Sequence, residues 1–383
     1  MNILIYTHEF PPFQGGIATS SKMIADILSS ENNLMVCCPS YGEKTPLNNE
    51  KFITHRINFI GGKSFKKIPL AQYIYGLFKI KKIIKSFKPE KIFYLGEEAE
   101  IIGGLLNEKE IDQVVRIAGS GIESIIKSNS IKKILPKFLL KRLYKNSQYI
   151  IAVSKNTKKL MEQENDFFSK EKIKLIYNGI DKDFLDKDID LSLIAKFKES
   201  NETFIILTVS RLLPRKGQDH VIRALSKIKN KNIKYLCVGE GSHKEKYKSL
   251  VKSSNLENNV VFIGGIDRSD IHKYYDCADI FILCNRTWNS KIEGLPNVAI
   301  ESMARSTPVI GSKNSGTEEV IKDNINGYLV DPENIDDIAA KIKTAFSDKK
   351  RLKTMGDSAK IHIEQNFSFK EMKSNYLRLF CNE

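Results

Sequence analysis

The chain has 383 residues, of which 41% are hydrophobic and 28% are charged, and its formal net charge is +15. At roughly 100–200 residues per domain, this length predicts two or three folded domains, each with its own core. The composition excludes disorder, collagen and coiled coil for most of the chain, and no apolar run reaches the length of about 18 residues that a membrane-spanning helix needs.

The first residues of the chain predict a strand. Residues 2–7 are mostly apolar and no basic segment precedes them, so a β-strand is expected here and not a secretion signal. The next predicted strands of the first half are 33–37, 92–95, 113–117, 149–153 and 173–176. The helices predicted between them are 17–30, 71–87, 98–107, 131–145 and 155–164. Such alternation predicts a parallel sheet covered by helices on both faces.

A second alternation follows a polar, aspartate-rich segment at 181–200, which is predicted to be a connector. Its predicted strands are 203–209, 234–238, 260–263, 279–283, 307–310 and 327–330. Its predicted helices are 217–228, 243–254, 268–276, 297–304 and 316–322, and 333–383 is predicted to be helical. The sequence therefore predicts two doubly wound, Rossmann-like α/β domains of similar size that face a central cleft.

Ligands of open α/β sheets bind beyond the carboxyl ends of the strands, so the cleft is the expected ligand site. Neither half carries GxGxxG after its first strand, and GxxxxGK[ST] is absent. A dinucleotide dehydrogenase and a P-loop NTPase are therefore not supported. The six cysteines, at 37, 38, 237, 277, 284 and 381, form no CxxC pair. This indicates free thiols in a reducing, cytoplasmic setting.

The positive charge is unevenly distributed. Residues 60–91 hold nine lysines and one glutamate, and residues 127–145 hold seven basic residues and no acid, so these two stretches account for the whole excess of +15. Large apolar residues are interleaved with the charges, a composition typical of helices that lie on an anionic membrane. The alternative is ordinary amphipathic helices with solvated lysine faces. Nucleic acid is not an expected partner, because no known nucleic-acid-binding pattern accompanies the charge.

The most specific motif contains two glutamates eight positions apart. It is Glu293-Gly294-Leu295-Pro296-Asn297-Val298-Ala299-Ile300-Glu301. A helix beginning near Pro296 would present the free amides of Asn297 and Val298 to an anion such as phosphate, and Glu301 could accept hydrogen bonds from a sugar diol. Taken alone, the motif is better explained by the ordinary alternative, since paired glutamates are common on helices.

Two further segments follow the first strand of each half. Arg211 and Lys216 lie in a loop that leads into a helix, and their cationic groups suit a diphosphate, although a solvated basic loop is the alternative. Gly15-Gly16 opens the first helix and permits a ligand to approach backbone amides closely, although a Gly-Gly turn by itself is weak support.

Together these segments resemble the retaining nucleotide-sugar glycosyltransferases of family 4, the glycosyl transferases group 1, which have the GT-B fold. The resemblance runs nearly end to end. It rests on Pro11-Pro12, Gly15-Gly16-Ile17, Ala152-Val153-Ser154-Lys155, Tyr177-Asn178-Gly179-Ile180-Asp181, Arg211 with Lys216-Gly217, Gly239-Glu240-Gly241, Glu293 with Glu301, Asn326-Gly327-Tyr328 and Asp331-Pro332.

The resemblance implies roles for these residues. Arg211 and Lys216 would bind the donor diphosphate and stabilise the leaving nucleotide, Glu301 would hold the ribose hydroxyls, and Glu293 would contact the transferred sugar. The implied catalytic set is Arg211, Lys216 and Glu293, and the implied donor-binding positions are Gly15, Gly16, Arg211, Lys216, Gly294, Leu295, Asn297, Val298 and Glu301. It also implies domains at 1–182 and 183–365, with a final helix at about 366–383 that packs back on the first.

One position departs from the family pattern. Members often carry a histidine in a stretch like the one at 116–121, where this chain has Ala118. Ser120, Glu123 or His8 could supply the missing contact to the sugar or acceptor, although His8 is better explained as a packed or solvated loop histidine. Asp181-Lys182-Asp183 lies in the connector and is interpreted as solvated and capping. No metal and no other cofactor are expected, because Arg211 and Lys216 can neutralise the diphosphate.

The resemblance thus implies a retaining hexosyl- or N-acetylhexosaminyltransferase that uses a nucleotide-diphosphate sugar, with UDP or GDP favoured. The predicted acceptor is a lipid-linked or growing surface glycan of the O-antigen or capsule type, at the inner face of the plasma membrane. Two alternatives from other classes remain open. One is a nucleotide-sugar epimerase or phosphorylase that shares the fold, and the other is a non-catalytic protein that binds a sugar nucleotide or a membrane.

Overall fold

The computed structural model describes residues 1–13, 15–41, 51–57, 69–118, 121–180, 182–200, 202–288 and 294–381. The chain forms two compact units, one comprising Met1–Tyr177 with Met372–Glu383 and the other Asn178–Glu371. The first division therefore falls a few residues before the predicted boundary at 182, and the chain rejoins the first unit at Met372 instead of at about 366.

The first unit is built on a parallel sheet of seven strands. The strands are β1 (Asn2–Thr7), β2 (Asn33–Pro39), β3 (Ile53–Ile57), β4 (Lys91–Leu95), β5 (Asp112–Ile117), β6 (Tyr149–Ala152) and β7 (Ile173–Leu175), in the order β3-β2-β1-β4-β5-β6-β7. The helices are α1 (Gly16–Leu28), α2 (Pro69–Phe87), α3 (Glu97–Leu106), α4 (Gly121–Ile126), α5 (Ile134–Asn146) and α6 (Lys155–Gln163). The inner strands β1 and β4 are almost completely buried, which explains their unbroken apolar sequences.

The second unit repeats this plan with six parallel strands. They are β8 (Phe204–Val209), β9 (Ile233–Val238), β10 (Val260–Gly264), β11 (Ile280–Leu283), β12 (Val309–Ser312) and β13 (Gly327–Val330), in the order β10-β9-β8-β11-β12-β13. The helices are α7 (Lys182–Leu185), α8 (Leu191–Phe197), α9 (Gln218–Ile228), α10 (Lys244–Ser253), α11 (Ile271–Cys277), α12 (Asn297–Ala304), α13 (Ile335–Ser347) and α14 (Lys349–Asn366). The last helix, α15 (Phe369–Cys381), belongs to the first unit from Met372 onward, where Phe380 packs 5.2 Å from the ring of Phe93.

Each sheet has one topological switch point, where the strand order reverses. It lies between β1 and β4 in the first sheet and between β8 and β11 in the second. Both sheets therefore have the order of a doubly wound Rossmann-like fold, which confirms the predicted fold class. Ligands of such sheets bind beyond the carboxyl ends of the strands at this point.

Several predicted elements differ from those in the structure. Strand β3 was not predicted, because it is an edge strand whose first residue, Ile53, is 52% exposed and whose sequence alternates with polar residues. The helix predicted at 316–322 is only a 3₁₀ turn at Gly316–Glu319. After this turn the side chain of Asn326 takes the place of helical backbone hydrogen bonds. It accepts a hydrogen bond from the amide of Lys322 (2.7 Å) and donates one to the carbonyl of Val320 (3.1 Å).

The connector at 181–200 contains more structure than predicted. It forms the short helices α7 and α8, and Asp190 caps α8 by accepting a hydrogen bond from the amide of Leu193 (3.1 Å). Arg305 holds this segment, since it pairs with Asp276 (2.6 Å) and donates to the carbonyl of Leu185 (2.7 Å). Across the described residues, none of the helices combines the length and apolar character needed to cross a membrane.

Candidate active site at the carboxyl edge of the second sheet

The turn after β8 brings the two predicted phosphate-binding cations together. Arg211 is exposed, and within the described part of the chain its guanidinium forms no ion pair or hydrogen bond. Lys216 lies five residues on, in the short 3₁₀ turn Pro214–Lys216, and is only 8% exposed. Helix α9 begins at Gln218, and no side chain caps its first turn. Two cations and a helix N-terminus therefore meet at the switch point of the second sheet, an arrangement suited to an anion.

Two glycines fix the position of this turn. Gly217 has a φ of 76°, and a Cβ atom on it would lie 2.0 Å from the carbonyl oxygen of Cys284, at the end of β11. Gly239 has a φ of 129°, and a Cβ atom there would lie 2.2 Å from the carbonyl oxygen of Ser210. Any side chain at either position would both collide with backbone and favour a different φ. These contacts give a structural reason for the glycines of the Lys216-Gly217 and Gly239-Glu240-Gly241 motifs.

Glu301 lies one turn inside α12 in a buried, hydrogen-bonded position. Its Oε1 forms an ion pair with Arg268 (2.6 Å), and its Oε2 accepts a hydrogen bond from the hydroxyl of Tyr275 (2.9 Å). Burial and the neighbouring carboxylate raise the pKa of Tyr275, so its hydroxyl stays protonated and donates. Each carboxylate oxygen keeps a second lone pair that a ligand hydroxyl could use. Arg268 and Tyr275 were not predicted from the sequence.

The other donor-binding positions of the motif lie around the start of α12. The helix begins at Asn297, and Pro296 precedes it without a side-chain capping bond, so the first amides of the helix lack a side-chain cap. The side chain of Asn297 accepts a hydrogen bond from Nδ2 of Asn178 (2.7 Å). Gly294 and Leu295 are described, with Leu295 buried, whereas Glu293 lies outside the described residues.

In the first unit, the predicted Gly-Gly turn opens a helix. Helix α1 begins at Gly16, and Gly15 caps it without a side-chain bond, which leaves the amides of its first turn uncapped by side chains. His8 follows β1, and its Nδ1 is buried without a hydrogen-bond partner among the described residues. Burial lowers the pKa of His8 to about 4, so this imidazole is neutral at pH 7.

The residues expected to replace the family histidine are only partly described. Ala118 follows β5, at the carboxyl edge of the first sheet. Ser120 lies outside the described residues, and Glu123 is described only by its backbone position within α4. Their predicted roles at the sugar or acceptor therefore stay predictions. No group of three or more potential metal ligands occurs among the side chains that the structure describes.

A second cluster at the same edge was not predicted from the sequence. Arg286, in the loop after β11, pairs with Asp219 (2.8 Å) and contacts the ring of His220. His220 Nδ1 also lies 2.6 Å from the carbonyl oxygen of Pro332, after β13. Asn285 is buried beside them. Apart from Pro332, none of these residues stands in a motif that the sequence analysis identified, so only the fold brings the cluster together.

Two Rossmann-like units, each built on a parallel sheet with one switch point, are the architecture of the GT-B glycosyltransferases, and the comparisons with known proteins agree. Residues 192–362 match the model of glycosyl transferases group 1, and residues 14–184 match the model of glycosyltransferase family 4. The structure also resembles the Anabaena protein HepE solved with UDP and glucose, with a TM-score of 0.81 over 100% of both chains at 21% identity. The chain belongs to the family 4, group 1 glycosyltransferases.

Three curated relatives illustrate the range of this family. An uncharacterized glycosyltransferase of Methanocaldococcus jannaschii is 31% identical over 60% of this chain, and the match spans only 59% of that relative. The GDP-mannose-dependent alpha-(1-6)-phosphatidylinositol monomannoside mannosyltransferase of Mycolicibacterium smegmatis is 23% identical over 92% of this chain and 91% of its own length. The N-acetylgalactosamine-N,N'-diacetylbacillosaminyl-diphospho-undecaprenol 4-alpha-N-acetylgalactosaminyltransferase of Campylobacter jejuni is 32% identical over 61% of this chain and 60% of its own length.

Proposed function

We propose that this glycosyltransferase uses a nucleotide-diphosphate sugar as donor and holds its diphosphate at the turn after β8. The observation that carries the proposal is the meeting of the exposed Arg211, the largely buried Lys216 and the N-terminus of α9 at one switch point. A planar guanidinium can bind a phosphate through two hydrogen bonds, and an ammonium group adds a second positive charge. In this proposal Glu301 accepts hydrogen bonds from the ribose hydroxyls, and Glu293 contacts the sugar.

The transfer proceeds with retention at the anomeric carbon. The bond between that carbon and the diphosphate oxygen breaks, a bond to an acceptor hydroxyl forms on the same face, and the hydroxyl proton passes to the leaving phosphate. Arg211 and Lys216 stabilise the negative charge that develops on the diphosphate, so that no metal is required. UDP and GDP are the proposed nucleotides, since GDP-mannose appears in the name of one relative and UDP was solved with a structural neighbour.

The proposed acceptor is a lipid-linked or growing surface glycan. The names of two relatives specify lipid acceptors, a phosphatidylinositol mannoside and a diphospho-undecaprenol glycan. The surface of the first unit supplies independent support, because two of its helices expose apolar stripes beside lysines. We therefore also propose that the protein binds the cytoplasmic face of the plasma membrane.

The stripe on α2 is apolar toward one end and basic toward the other. Ile74 and Phe78 are 65% and 76% exposed, and Lys81, Lys82 and Lys85 are exposed on the turns that follow. These positions recur every three to four residues and so lie on one side of the helix, whereas Ile80 and Ile83 are buried in the core. The charged stretch predicted at 60–91 begins earlier, and 60–68 lies outside the described residues.

The stripe around α5 is apolar along its length. Ile131, Ile134, Leu135 and Phe138 are all more than half exposed, at spacings of three and four residues, whereas Leu139 and Leu143 are buried. Helix α3 packs against both α2 and α5, so the two stripes belong to one helical layer of the first unit. An exposed helix face that is both apolar and flanked by lysines is the composition that anionic bilayers bind.

A thermal-shift screen of UDP, GDP, dTDP and ADP and their sugars tests the donor proposal. A ligand present at 100 times its dissociation constant adds about 2.7 kcal/mol to stability. We expect one nucleotide series to stabilise the protein, and the shift to be lost in Arg211→Ala and Lys216→Ala. A panel without any stabilising nucleotide would contradict the proposal.

A further inference from the structure

A further pocket lies at the carboxyl edge of the second sheet. Of its lining residues, Asp331 and Pro332 belong to a family motif and the others do not. The pocket has a volume of about 200 Å³ and is lined by the three loops at 285–287, 313–315 and 331–333, which follow β11, β12 and β13. Drug-sized ligands and nucleotides occupy pockets of ~300–1,000 Å³, so this pocket has room for a single small ring.

Asn285, at the wall of this pocket, has an amide group without partners. Its side chain is 2% exposed, and neither Nδ2 nor Oδ1 has a hydrogen-bond partner in the described part of the chain. A buried group left unpaired has lost its hydrogen bonds to water without replacement, and most buried polar groups in folded proteins are therefore paired. The amide offers two donors and one acceptor to a ligand in the pocket.

The charges around the pocket are closely balanced. Lys313 and Arg286 are positive, whereas Asp219, Asp331 and Glu333 are negative. The guanidinium of Arg286 is already held by Asp219 and His220, so it is not free to clamp a phosphate. This arrangement disfavours an anion and suits a neutral ligand that can both donate and accept hydrogen bonds.

An exposed aromatic ring stands beside the pocket. Trp288, the single tryptophan of the chain, is 46% exposed, and the guanidinium carbon of Arg286 lies 5.5 Å from its ring centroid. Tryptophan combines a large apolar face with a polar edge and binds flat partners at little cost in conformational entropy. A pyranose ring has a matching form, with an apolar face of C–H groups and hydroxyls at its rim.

We propose that the pocket is a subsite for one neutral pyranose unit, in which Asn285 donates to one sugar oxygen and accepts from a neighbouring hydroxyl while Lys313 binds a third. The inference rests on the proposed glycosyltransferase function and assigns specificity to residues outside its motifs. The sugar of the donor and a sugar of the acceptor glycan share this chemistry, and kinetics separate the two.

The fluorescence of Trp288 tests the proposal directly, because no other tryptophan contributes. The protein is titrated with the methyl α-pyranosides of glucose, mannose, galactose and N-acetylgalactosamine, with nucleotide sugars, and with free nucleoside diphosphates. We expect at least one pyranoside to change the emission, and Asn285→Ala and Lys313→Ala each to weaken that response about 10-fold, the effect of losing one or two hydrogen bonds. Asn258→Ala, an exposed asparagine at the opposite end of the same sheet, is the matched control and should behave as the wild type.

Binding of free nucleoside diphosphate, measured by calorimetry, separates this proposal from the donor proposal. We expect Asn285→Ala to bind it normally and to raise KM for the nucleotide sugar if the donor sugar occupies the pocket, or KM for the acceptor if a glycan does. Lys313 is exposed, so Lys313→Ala should fold normally. This variant therefore still tests the proposal if Asn285→Ala does not fold. Unchanged emission with every pyranoside, or wild-type KM values in both variants, would overturn the pyranose subsite. If the wild-type protein does not bind nucleoside diphosphate, that result contradicts only the donor proposal.

Discussion

At the scale of single residues, Glu301 gives the most specific test of the proposed nucleotide site. Glu301→Gln keeps the shape of the side chain but removes the negative charge that pairs with Arg268. The amide also keeps one acceptor oxygen where the carboxylate has two, one of which accepts from Tyr275. We expect it to weaken nucleotide binding about 10-fold, whereas Glu293→Gln should mainly lower turnover with the intact donor. Calorimetry with free nucleoside diphosphate and kinetics with the nucleotide sugar measure the two effects. Equal nucleotide affinity in both variants would show that the division of roles is wrong.

Glu100, in α3, makes the stability of the first unit depend on pH. Burial raises the pKa of this carboxyl from 4.5 to about 8, and Tyr144 donates a hydrogen bond to its Oε2 (2.5 Å). The folded protein therefore holds a proton that the unfolded chain releases above pH 4.5. Stability from this group should fall as pH rises from about 4.5 to about 8 and should stay constant above that range.

Glu100→Gln tests this dependence, because the amide stays neutral and can still accept from Tyr144. We expect the variant to be more stable than the wild type by about 2–4 kcal/mol at pH 8 and by little at pH 4.5. Thermal unfolding at several pH values measures the difference. Glu98→Gln, an exposed glutamate of the same helix, is the control. If the stabilities of the wild type and of Glu100→Gln change in parallel with pH, Glu100 does not hold a proton in the folded protein as proposed.

Individual site residues could be predicted from the sequence only where they belong to a motif. The turn that holds Arg211 and Lys216 and the helix that holds Glu301 lie where the strand–helix pattern predicted them. Arg268, Tyr275 and Asn285 could not be predicted, because their positions depend on which strands are neighbours in the sheet. Strand β11 lies beside β8 although 70 residues separate their ends, and no local pattern records that pairing.

At the scale of elements, the turn from β8 to α9 depends on a glycine. Gly217→Ala would place a methyl group against the carbonyl of Cys284 at a positive φ, which should destabilise the protein by about 1–3 kcal/mol and displace Lys216. The thermal midpoint and the affinity for nucleoside diphosphate should both fall. Gly265→Ala is the matched control, since a Cβ atom there would meet only the Glu240 side chain, at 3.9 Å. Equal thermal midpoints and nucleotide affinities in the two variants would show that Gly217 does not lie in close contact with the Cys284 carbonyl.

The exposed stripes of α2 and α5 predict flotation with anionic vesicles at low salt and release at high salt. Lysines near the headgroups contribute ~1 kcal/mol each, and the Debye length falls from ~10 Å at 0.1 M to ~3 Å at 1 M salt. Replacing Lys81, Lys82 and Lys85 by glutamate should abolish flotation. Activity on a water-soluble acceptor analogue should survive, because the proposed donor residues lie in the second unit.

Replacing Lys350, Lys353 and Lys360 of α14 by glutamate is the control for that experiment. These lysines are exposed and belong to the second unit, and the substitution changes the net charge by the same amount. Flotation should persist in this variant. Equal flotation of both variants, or equal recovery on neutral and anionic vesicles, would remove the membrane proposal and leave the stripes as solvated helix faces.

Buried elements followed from local sequence patterns more reliably than elements whose conformation depends on tertiary contacts. Buried parallel strands such as β1 and β4 were predicted because continuous apolar runs leave little alternative. The edge strand β3 and the turn at Gly316–Glu319 were missed, since pairing with β2 and the hydrogen bonds of Asn326 decide their conformation. Both are tertiary interactions that a short window of sequence does not contain.

At the scale of the whole molecule, the chain repeats one design. Each unit has a parallel sheet whose order reverses between its first strand and a later neighbour. In each, a glycine is the N-cap of the α-helix that follows the first strand, so no side chain caps that helix. The two units differ in charge. The second carries the cations proposed to bind the donor diphosphate, whereas the first carries the exposed apolar and lysine-rich stripes. This difference is the basis of the proposal that the second unit binds the donor and that the first unit contacts the membrane that carries the acceptor.

The release of nucleoside diphosphate from the nucleotide sugar, in the presence of a glycan acceptor, tests the central claim most directly. The rate is compared among the wild type, Arg211→Ala, Lys216→Ala and the control Arg223→Ala, an exposed arginine of α9. We predict that each of the two site variants stays folded and turns over about 10²–10³-fold more slowly, the effect of removing one preorganised charge from a leaving group, while the control is unchanged. Near-normal turnover in Arg211→Ala or Lys216→Ala would show that the diphosphate is held elsewhere.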